Sequence, residues 1–394
     1  MDKIRTGGQD CAKGIIIISV IFFHCYLVTF ANHGDALVSF NILFALFPYL
    51  LSAFFFYAGY NYWPNNRSFK ENITRRAKQL LIPLVVALLI SIVLISPMEL
   101  IFHHDDPVNT LKALWNSVLY GLMSEPLAIM TGYASNTFIF ELMLAGGLLW
   151  FLYALFICSI FFFLLVKHTN KSVPTLISVV LALLILAFCI GQYVGTYLPF
   201  TVQCYPIILA LMLTAAHLRQ HHFLNIYVTS KKKMITFGIN MLIAEGIVVG
   251  ICVACYYQFG ATFTGSLPGG QLDPTLKGLD AIIAYIFGIV GTYAIHTACR
   301  LIKFIPIVGK FLQFVGIHSA IFYLFHPIFL DLAEIIFFQK KIVLGTGQAF
   351  IYVAFIVAAI SLVCLLLHFI HKKRHPERDI IAEIQQNEAP ENNY

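Results

Sequence analysis

The sequence contains very little charge for its length. Asp, Glu, Lys and Arg make up 11% of its 394 residues, whereas a soluble domain carries about 25%. Hydrophobic residues account for 59% of the chain, and its mean hydropathy is +0.83. This composition excludes a soluble globular fold, and 394 residues are too few for a transmembrane bundle plus a large soluble domain. The chain is therefore predicted to be an all-α polytopic membrane protein.

Several other signals are missing as well. The sequence shows no internal repeat and no glycine-rich phosphate loop. The first apolar run has no small-residue cleavage site, so it is interpreted as a retained helix. All nine cysteines fall in or next to apolar segments, which argues against an external disulfide framework. The basic residues are scattered over short loops, so nucleic-acid binding is not expected.

Apolar segments long enough to cross a bilayer, at about 20 residues each, recur along the whole chain. A bundle of about ten transmembrane helices is predicted, at 12–31, 37–60, 79–98, 138–166, 173–190, 199–217, 234–257, 280–300, 312–337 and 347–370. Of the 25 Lys and Arg residues, four lie in the loops of one side: Lys112, Lys277, Lys340 and Lys341. Because excess positive charge marks the cytoplasmic side, both termini are predicted to be cytoplasmic.

The membrane pattern covers almost all of the chain. Residues 1–370 are predicted to form one integral membrane domain. Residues 371–394 begin with a basic cluster and end polar and acidic, which is typical of a disordered cytoplasmic tail. The long outer loop at 99–137 is a candidate cover for a binding pocket.

His24 is the most informative residue of the first segment. It follows Lys13 by eleven residues, close to three helical turns, so both side chains are expected on one helix face about 16 Å apart. An ionisable group deep in a bilayer is costly, and such groups usually face a polar cavity where they have a function. Asp10, one turn before Lys13, is a candidate partner for the lysine.

The ninth segment carries a polar stripe. Ser319, Tyr323 and His326 are spaced at i, i+4 and i+7, which places them on one face of a helix. Pro327 cannot donate a hydrogen bond to the carbonyl of Tyr323 and is expected to kink the helix there. Two interpretations remain open. The stripe lines a reaction cavity, or the kink is packed and His326 bonds to a neighbouring helix.

Three more features need an explanation. Arg75 and Arg76 belong to a basic cluster just before the third segment, which either reflects the positive-inside rule or forms a phosphate site for a nucleotide-like donor. Glu245 lies inside the seventh segment and needs a partner there. The run at 103–106 (His-His-Asp-Asp) is interpreted as a solvated loop, and no metal is expected.

Five segments in order resemble one family of membrane proteins. They run from Asp10 to His24, from Phe54 to Tyr60, from Arg75 to Pro83, from Trp150 to Leu155, and from Gly316 to Pro327. This order and spacing resemble the acyltransferase-3 family and, more closely, its fucose 4-O-acetylase-like branch. In that family the first motif is a basic residue and a histidine that are separated by ten residues. Lysine stands at 13 where arginine is usual, and alanine stands at 58 where serine is usual.

The resemblance implies a multi-pass protein of the bacterial inner membrane. Such a protein transfers an acyl group from cytoplasmic acyl-CoA to a hydroxyl of a surface polysaccharide or its lipid-linked precursor. Acetyl-CoA is the expected donor. His24 is then the expected general base. Lys13, Arg75 and Arg76 are the expected contacts to the donor phosphates. Ser319, Tyr323 and His326 are candidates for oxyanion support or for holding the carbohydrate acceptor.

Two other functions remain open. The chain could be a transporter of a small polar or polyprenyl-linked substrate, although such proteins often have broken helices at matching positions in two halves. The sequence has one proline-kinked polar segment, at 312–337, without an obvious counterpart in the first half. It could also be an inactive assembly protein of a cell-envelope complex.

Overall fold

A computed structural model of the chain describes residues 7–33, 49–62, 67–102, 150–194, 199–224, 231–259, 276, 278–302, 305–339 and 348–374. Within these ranges the protein is helical and contains no strand. The α-helices are α1 (Gly7–His33), α2 (Leu50–Tyr60), α3 (Phe69–Phe102), α4 (Trp150–Thr169), α5 (Val173–Cys189), α6 (Tyr205–Gln220), α7 (Lys231–Phe259), α8 (Leu279–Ile302), α9 (Pro306–Ile317), α10 (Ser319–Gln339) and α11 (Gln348–Arg374). A π-helical turn, Ile190–Val194, follows α5, and a 3-10 turn, Pro199–Cys204, precedes α6.

The all-helical membrane architecture predicted from composition is confirmed. Six described helices are long and apolar enough to cross a membrane, and there are seven if α9 and α10 together form one bent span. The six are α4, α5, α6, α7, α8 and α11. Much of the predicted spans at 37–60 and 138–166 lies outside the described residues, as do the run at 103–106, nearly all of the loop at 99–137 and the tail beyond 374.

The predicted ninth span, 312–337, is not one continuous helix, so the prediction of a single helix there is wrong, although the two helices can together form one bent span. α9 ends at Ile317, α10 begins at Ser319, and the two are bent by 82°. His318 lies at the break, where its ring Nδ1 donates to the carbonyl of Phe314 over 2.9 Å. That bond uses a carbonyl at the end of α9, so the side chain supports the end of the helix. α10 then continues through Pro327 to Gln339.

α1 lies at the centre of the bundle, in contact with α2, α8, α9, α10 and α11. Its closest neighbour is α9, and two glycines explain the approach. A Cβ atom on Gly316 would overlap the carbonyl oxygen of Asp10, and one on Gly14 would overlap the carbonyl oxygen of Leu312. Because lipid tails are as apolar as the side chains, membrane helices associate by such close packing of small residues. The two glycines therefore fix where α9, and with it the start of α10, meets α1.

The start of α3 is defined by a capping box. The Ser68 amide donates to the Glu71 carboxylate over 2.7 Å, and the Glu71 amide donates to the Ser68 hydroxyl over 3.3 Å. The hydrogen bonds from Ser68 lower the pKa of the exposed Glu71 carboxyl. One turn further on lie Arg75, which is exposed, and Arg76, which is half-buried. The capping box thus sets the register in which both arginines leave the helix.

Glu245 has the partner that its position in an apolar segment required. The Tyr49 hydroxyl, at the start of α2, donates to a carboxylate oxygen of Glu245 in α7 over 3.1 Å. Tyr49 is almost fully buried, and its ring packs against the backbone at Gly291 of α8. This contact connects α7 to the helices that surround α1.

Replacing Tyr49 with phenylalanine should lower the free energy of unfolding by about 1–3 kcal/mol, because the half-buried Glu245 carboxyl loses its donor. Thermal unfolding in detergent measures the change. The matched control is Tyr257→Phe on α7, since that side chain is 82% exposed. Equal melting temperatures for the two variants would contradict the importance of the Tyr49 hydrogen bond.

Candidate active site

The structure brings together two histidines that the sequence separates by 302 positions. Nδ1 of His24, in α1, lies 2.9 Å from Nε2 of His326, in α10. The rings are nearly parallel, with 10° between their planes and 5.1 Å between their centroids. Each histidine was predicted as a site residue on its own, and their direct contact makes them one unit.

The two imidazoles differ in exposure. The side chain of His326 is fully buried, with 0% of its surface exposed, whereas that of His24 is half-buried. Of the two histidines, His24 is therefore the one that keeps part of its surface exposed.

The second ring nitrogen of His326 is held by its own helix. Nδ1 of His326 lies 2.7 Å from the carbonyl oxygen of Tyr323. In an uninterrupted helix that carbonyl would accept from the amide at position 327, but Pro327 has no N–H. The proline therefore leaves a carbonyl that the imidazole can use, and His326 is bonded at both nitrogens.

Aromatic rings connect the histidine pair to the other motif segments. The Tyr323 ring lies 5.7 Å from that of His326 and 5.4 Å from that of Phe151, at the start of α4. Phe151 in turn lies 4.5 Å from the ring of Phe55 in α2. Four of the five segments quoted from the sequence thus meet around one point, although they are far apart along the chain.

Ser319 is the first residue of α10 and is half-buried. Helical spacing places it on the same face as Tyr323 and His326, as the stripe predicted. Tyr323 is 6% exposed, so its side chain belongs mainly to the wall behind the histidines.

The predicted pairing of Lys13 with Asp10 is confirmed. Nζ of Lys13 lies 3.7 Å from Oδ1 of Asp10, and their side chains are 15% and 7% exposed. This pair lies beside the crossing of α1 and α9, where the Asp10 carbonyl meets Gly316. Arg75 and Arg76 are on α3, which packs against α4 and α10. The three basic residues predicted to contact the donor therefore come from two helices.

A second buried histidine was missed. Nδ1 of His296, in α8, lies 3.2 Å from the Tyr57 hydroxyl in α2, and both side chains are buried. Asp280, at the start of α8, is also buried, at 1% exposure. The rule that selected His24, an ionisable side chain inside an apolar segment, applies equally to His296 in the predicted span at 280–300.

The fold and this site define an all-helical membrane protein with a histidine pair between its central helix, α1, and α10. A family model described as an acyltransferase domain matches residues 7–368, nearly the whole chain. The chain belongs to the acyltransferase-3 family, and the protein is an acyltransferase. A search of curated proteins and a search of solved structures each return no match. In the described part of the chain, no group of three or more His, Cys, Asp or Glu residues is arranged to hold a metal ion.

Proposed function

We propose that this acyltransferase moves an acyl group, most simply acetyl, from cytoplasmic acyl-CoA to a hydroxyl of a cell-surface polysaccharide or its lipid-linked precursor. The observation that carries the proposal is the contact between His24 and His326. A half-buried imidazole that is oriented by a fully buried one is suited to general-base chemistry at a hydroxyl.

The chemistry uses His24 as the base. The acceptor hydroxyl oxygen attacks the thioester carbonyl carbon while His24 takes the hydroxyl proton. The carbon–sulfur bond then breaks, and the proton passes from His24 to the departing thiolate of CoA. The products are an ester and free CoA, and His24 returns to its neutral form. Ser319, half-buried on the same face of α10, is the candidate to support the oxyanion or hold the acceptor.

The donor phosphates are assigned to basic side chains. Lys13 lies on α1 about three turns before His24, and its ammonium is held by Asp10 at 3.7 Å. Arg75 and Arg76 can add bidentate phosphate contacts from the start of α3. A CoA molecule is long enough to keep its phosphates near such residues while its thioester reaches deeper into the bundle.

Lys13→Gln should weaken binding of acyl-CoA by about 1.5–3 kcal/mol, because a charged hydrogen bond to phosphate is lost. Lys13→Arg should retain binding, since the charge remains and the guanidinium adds a second donor. Titration of each variant with a non-hydrolysable acyl-CoA analogue measures the two binding affinities. Equal affinity of the parent and Lys13→Gln would remove Lys13 from the donor site and leave it a structural role.

The proposed topology has ten spans with both termini in the cytoplasm of a bacterial inner membrane. It is supported by the alternation of basic and non-basic loops along the sequence and by the six helices of spanning length. In this topology the donor enters from the side of Lys13, and the carbohydrate acceptor approaches from the opposite side.

The test of function is a reconstituted assay. The purified protein in proteoliposomes is supplied with acetyl-CoA and a lipid-linked oligosaccharide, and release of CoA is measured with and without the acceptor. Acceptor-dependent CoA release, with a gain of one acetyl group by mass spectrometry, supports the proposal. Movement of labelled oligosaccharide across the bilayer without CoA release would contradict it and support transport instead.

A further inference from the structure

We propose that His326 is a positioning residue that fixes the tautomer of His24, so that Nε2 of His24 is the atom that accepts the proton. The inference deepens the proposed function and rests on it for the identity of the proton donor. The hydrogen-bond chain itself rests only on two contacts in the structure, and each step follows from which atoms can donate.

The first step is at the carbonyl of Tyr323. A backbone carbonyl oxygen only accepts hydrogen bonds. Nδ1 of His326 lies 2.7 Å from it, so this nitrogen must carry a hydrogen. The carbonyl is available because Pro327, four residues further on, has no amide hydrogen to offer it.

The second step is between the two rings. A neutral imidazole has one protonated and one unprotonated nitrogen. Since Nδ1 of His326 is protonated, its Nε2 carries a lone pair and can only accept. That lone pair lies 2.9 Å from Nδ1 of His24. The hydrogen between the rings therefore belongs to His24, and it is on Nδ1.

The third step gives the reactive atom. With its hydrogen on Nδ1, a neutral His24 has an unprotonated Nε2. His24 is the half-buried member of the pair, whereas His326 is fully buried. When Nε2 takes a proton, the resulting imidazolium keeps the same hydrogen bond to His326, so no group has to turn during the reaction. A partner that orients a base in this way is a recurring part of nucleophilic catalysis.

The test compares two amides at position 326. Glutamine places its terminal oxygen near the former Nε2, where it can accept from Nδ1–H of His24. Asparagine is shorter, so its amide group reaches only the position of the former Nδ1 and cannot accept the hydrogen bond from His24. We expect His326→Asn to lower kcat about 100-fold with KM for acyl-CoA unchanged, and His326→Gln to stay within about tenfold of the parent. Equal rates for both variants would overturn the proposal.

A third variant keeps the test valid if asparagine prevents folding. Pro327→Ala restores an amide hydrogen that competes with His326 for the Tyr323 carbonyl. We expect kcat to fall about threefold to tenfold while the melting temperature stays at or above that of the parent, because alanine favours a helix and proline does not. A purely structural role for Pro327 predicts parental kcat in this variant, and that result would contradict the proposal.

Nitrogen NMR of protein carrying isotope-labelled histidine separates this proposal from the proposed function. It distinguishes protonated from unprotonated ring nitrogens, and His24→Asn assigns the resonance. The expected result is an unprotonated Nε2 and a protonated Nδ1 for His24. The reverse tautomer would overturn the inference even if acyl transfer is observed. The expected tautomer in a protein that transfers no acyl group would support the hydrogen-bond chain and refute the proposed function.

Discussion

Replacing His24 with alanine should lower the rate of acyl transfer by about 100-fold to 10,000-fold, the range that a positioned general base contributes. The reason is that His24 is the partly exposed histidine of the pair, whereas His326, in contact with it, is fully buried. CoA release and acceptor acylation by the purified variant measure the loss, and binding of an acyl-CoA analogue should remain near the parental value.

Two comparisons make this result specific. His24→Asn retains a donor toward Nε2 of His326 but has no basic nitrogen, so it should fold like the parent and be as inactive as the alanine variant. His168→Ala removes an exposed histidine at the end of α4 and should leave the rate unchanged. Parental activity in a folded His24→Ala protein would exclude His24 as the base and would require another proton acceptor.

Gly316→Ala should destabilise the protein by about 3 kcal/mol or more, the upper part of the range for overpacking. The added methyl group would overlap the carbonyl oxygen of Asp10. Backbone atoms cannot rotate away as a side chain can, so α1 and α9 would have to separate. Gly14→Ala should act in the same way through the carbonyl of Leu312. Thermal unfolding and the yield of monodisperse protein measure both effects.

Gly250→Ala is the matched control, because a Cβ there meets no atom within 4 Å. It lies within α7, where alanine is the better helix former, so a gain of up to about 1 kcal/mol is expected. If Gly316→Ala melts at the same temperature as Gly250→Ala, the close crossing of α1 and α9 is contradicted.

Short-range features of the site could be predicted from the sequence because helical spacing determines them. Asp10 and Lys13 are one turn apart and do pair. Ser319, Tyr323 and His326 do share a continuous helix, α10. The requirement for a partner at Glu245 followed from the cost of burying a carboxyl in an apolar environment, and the structure supplies Tyr49. None of these inferences needed knowledge of how the helices pack.

What could not be predicted depends on contacts between distant segments. Hydropathy does not show that His24 and His326 touch, because periodicity gives the face of a helix and not its neighbour. The break at His318 was also missed, since residues 312–337 are apolar enough to read as one span. Two residues signalled the break. Gly316, before it, is a residue type that often ends a helix, and Ser319, after it, is a residue type that often starts one. His296 was overlooked although the rule applied to His24 covers it.

The central position of α1 has a consequence for how the protein is made. α1 ends at His33, and its closest partner, α9, begins at Pro306, 273 residues later. At about 5–20 residues per second, the ribosome needs roughly 15–55 seconds to supply that partner. During this time Gly14 and His24 lack the surfaces that later cover them. The contact between His24 and His326 therefore forms only after α10, which ends at Gln339, has been synthesised, and a shorter nascent chain lacks it.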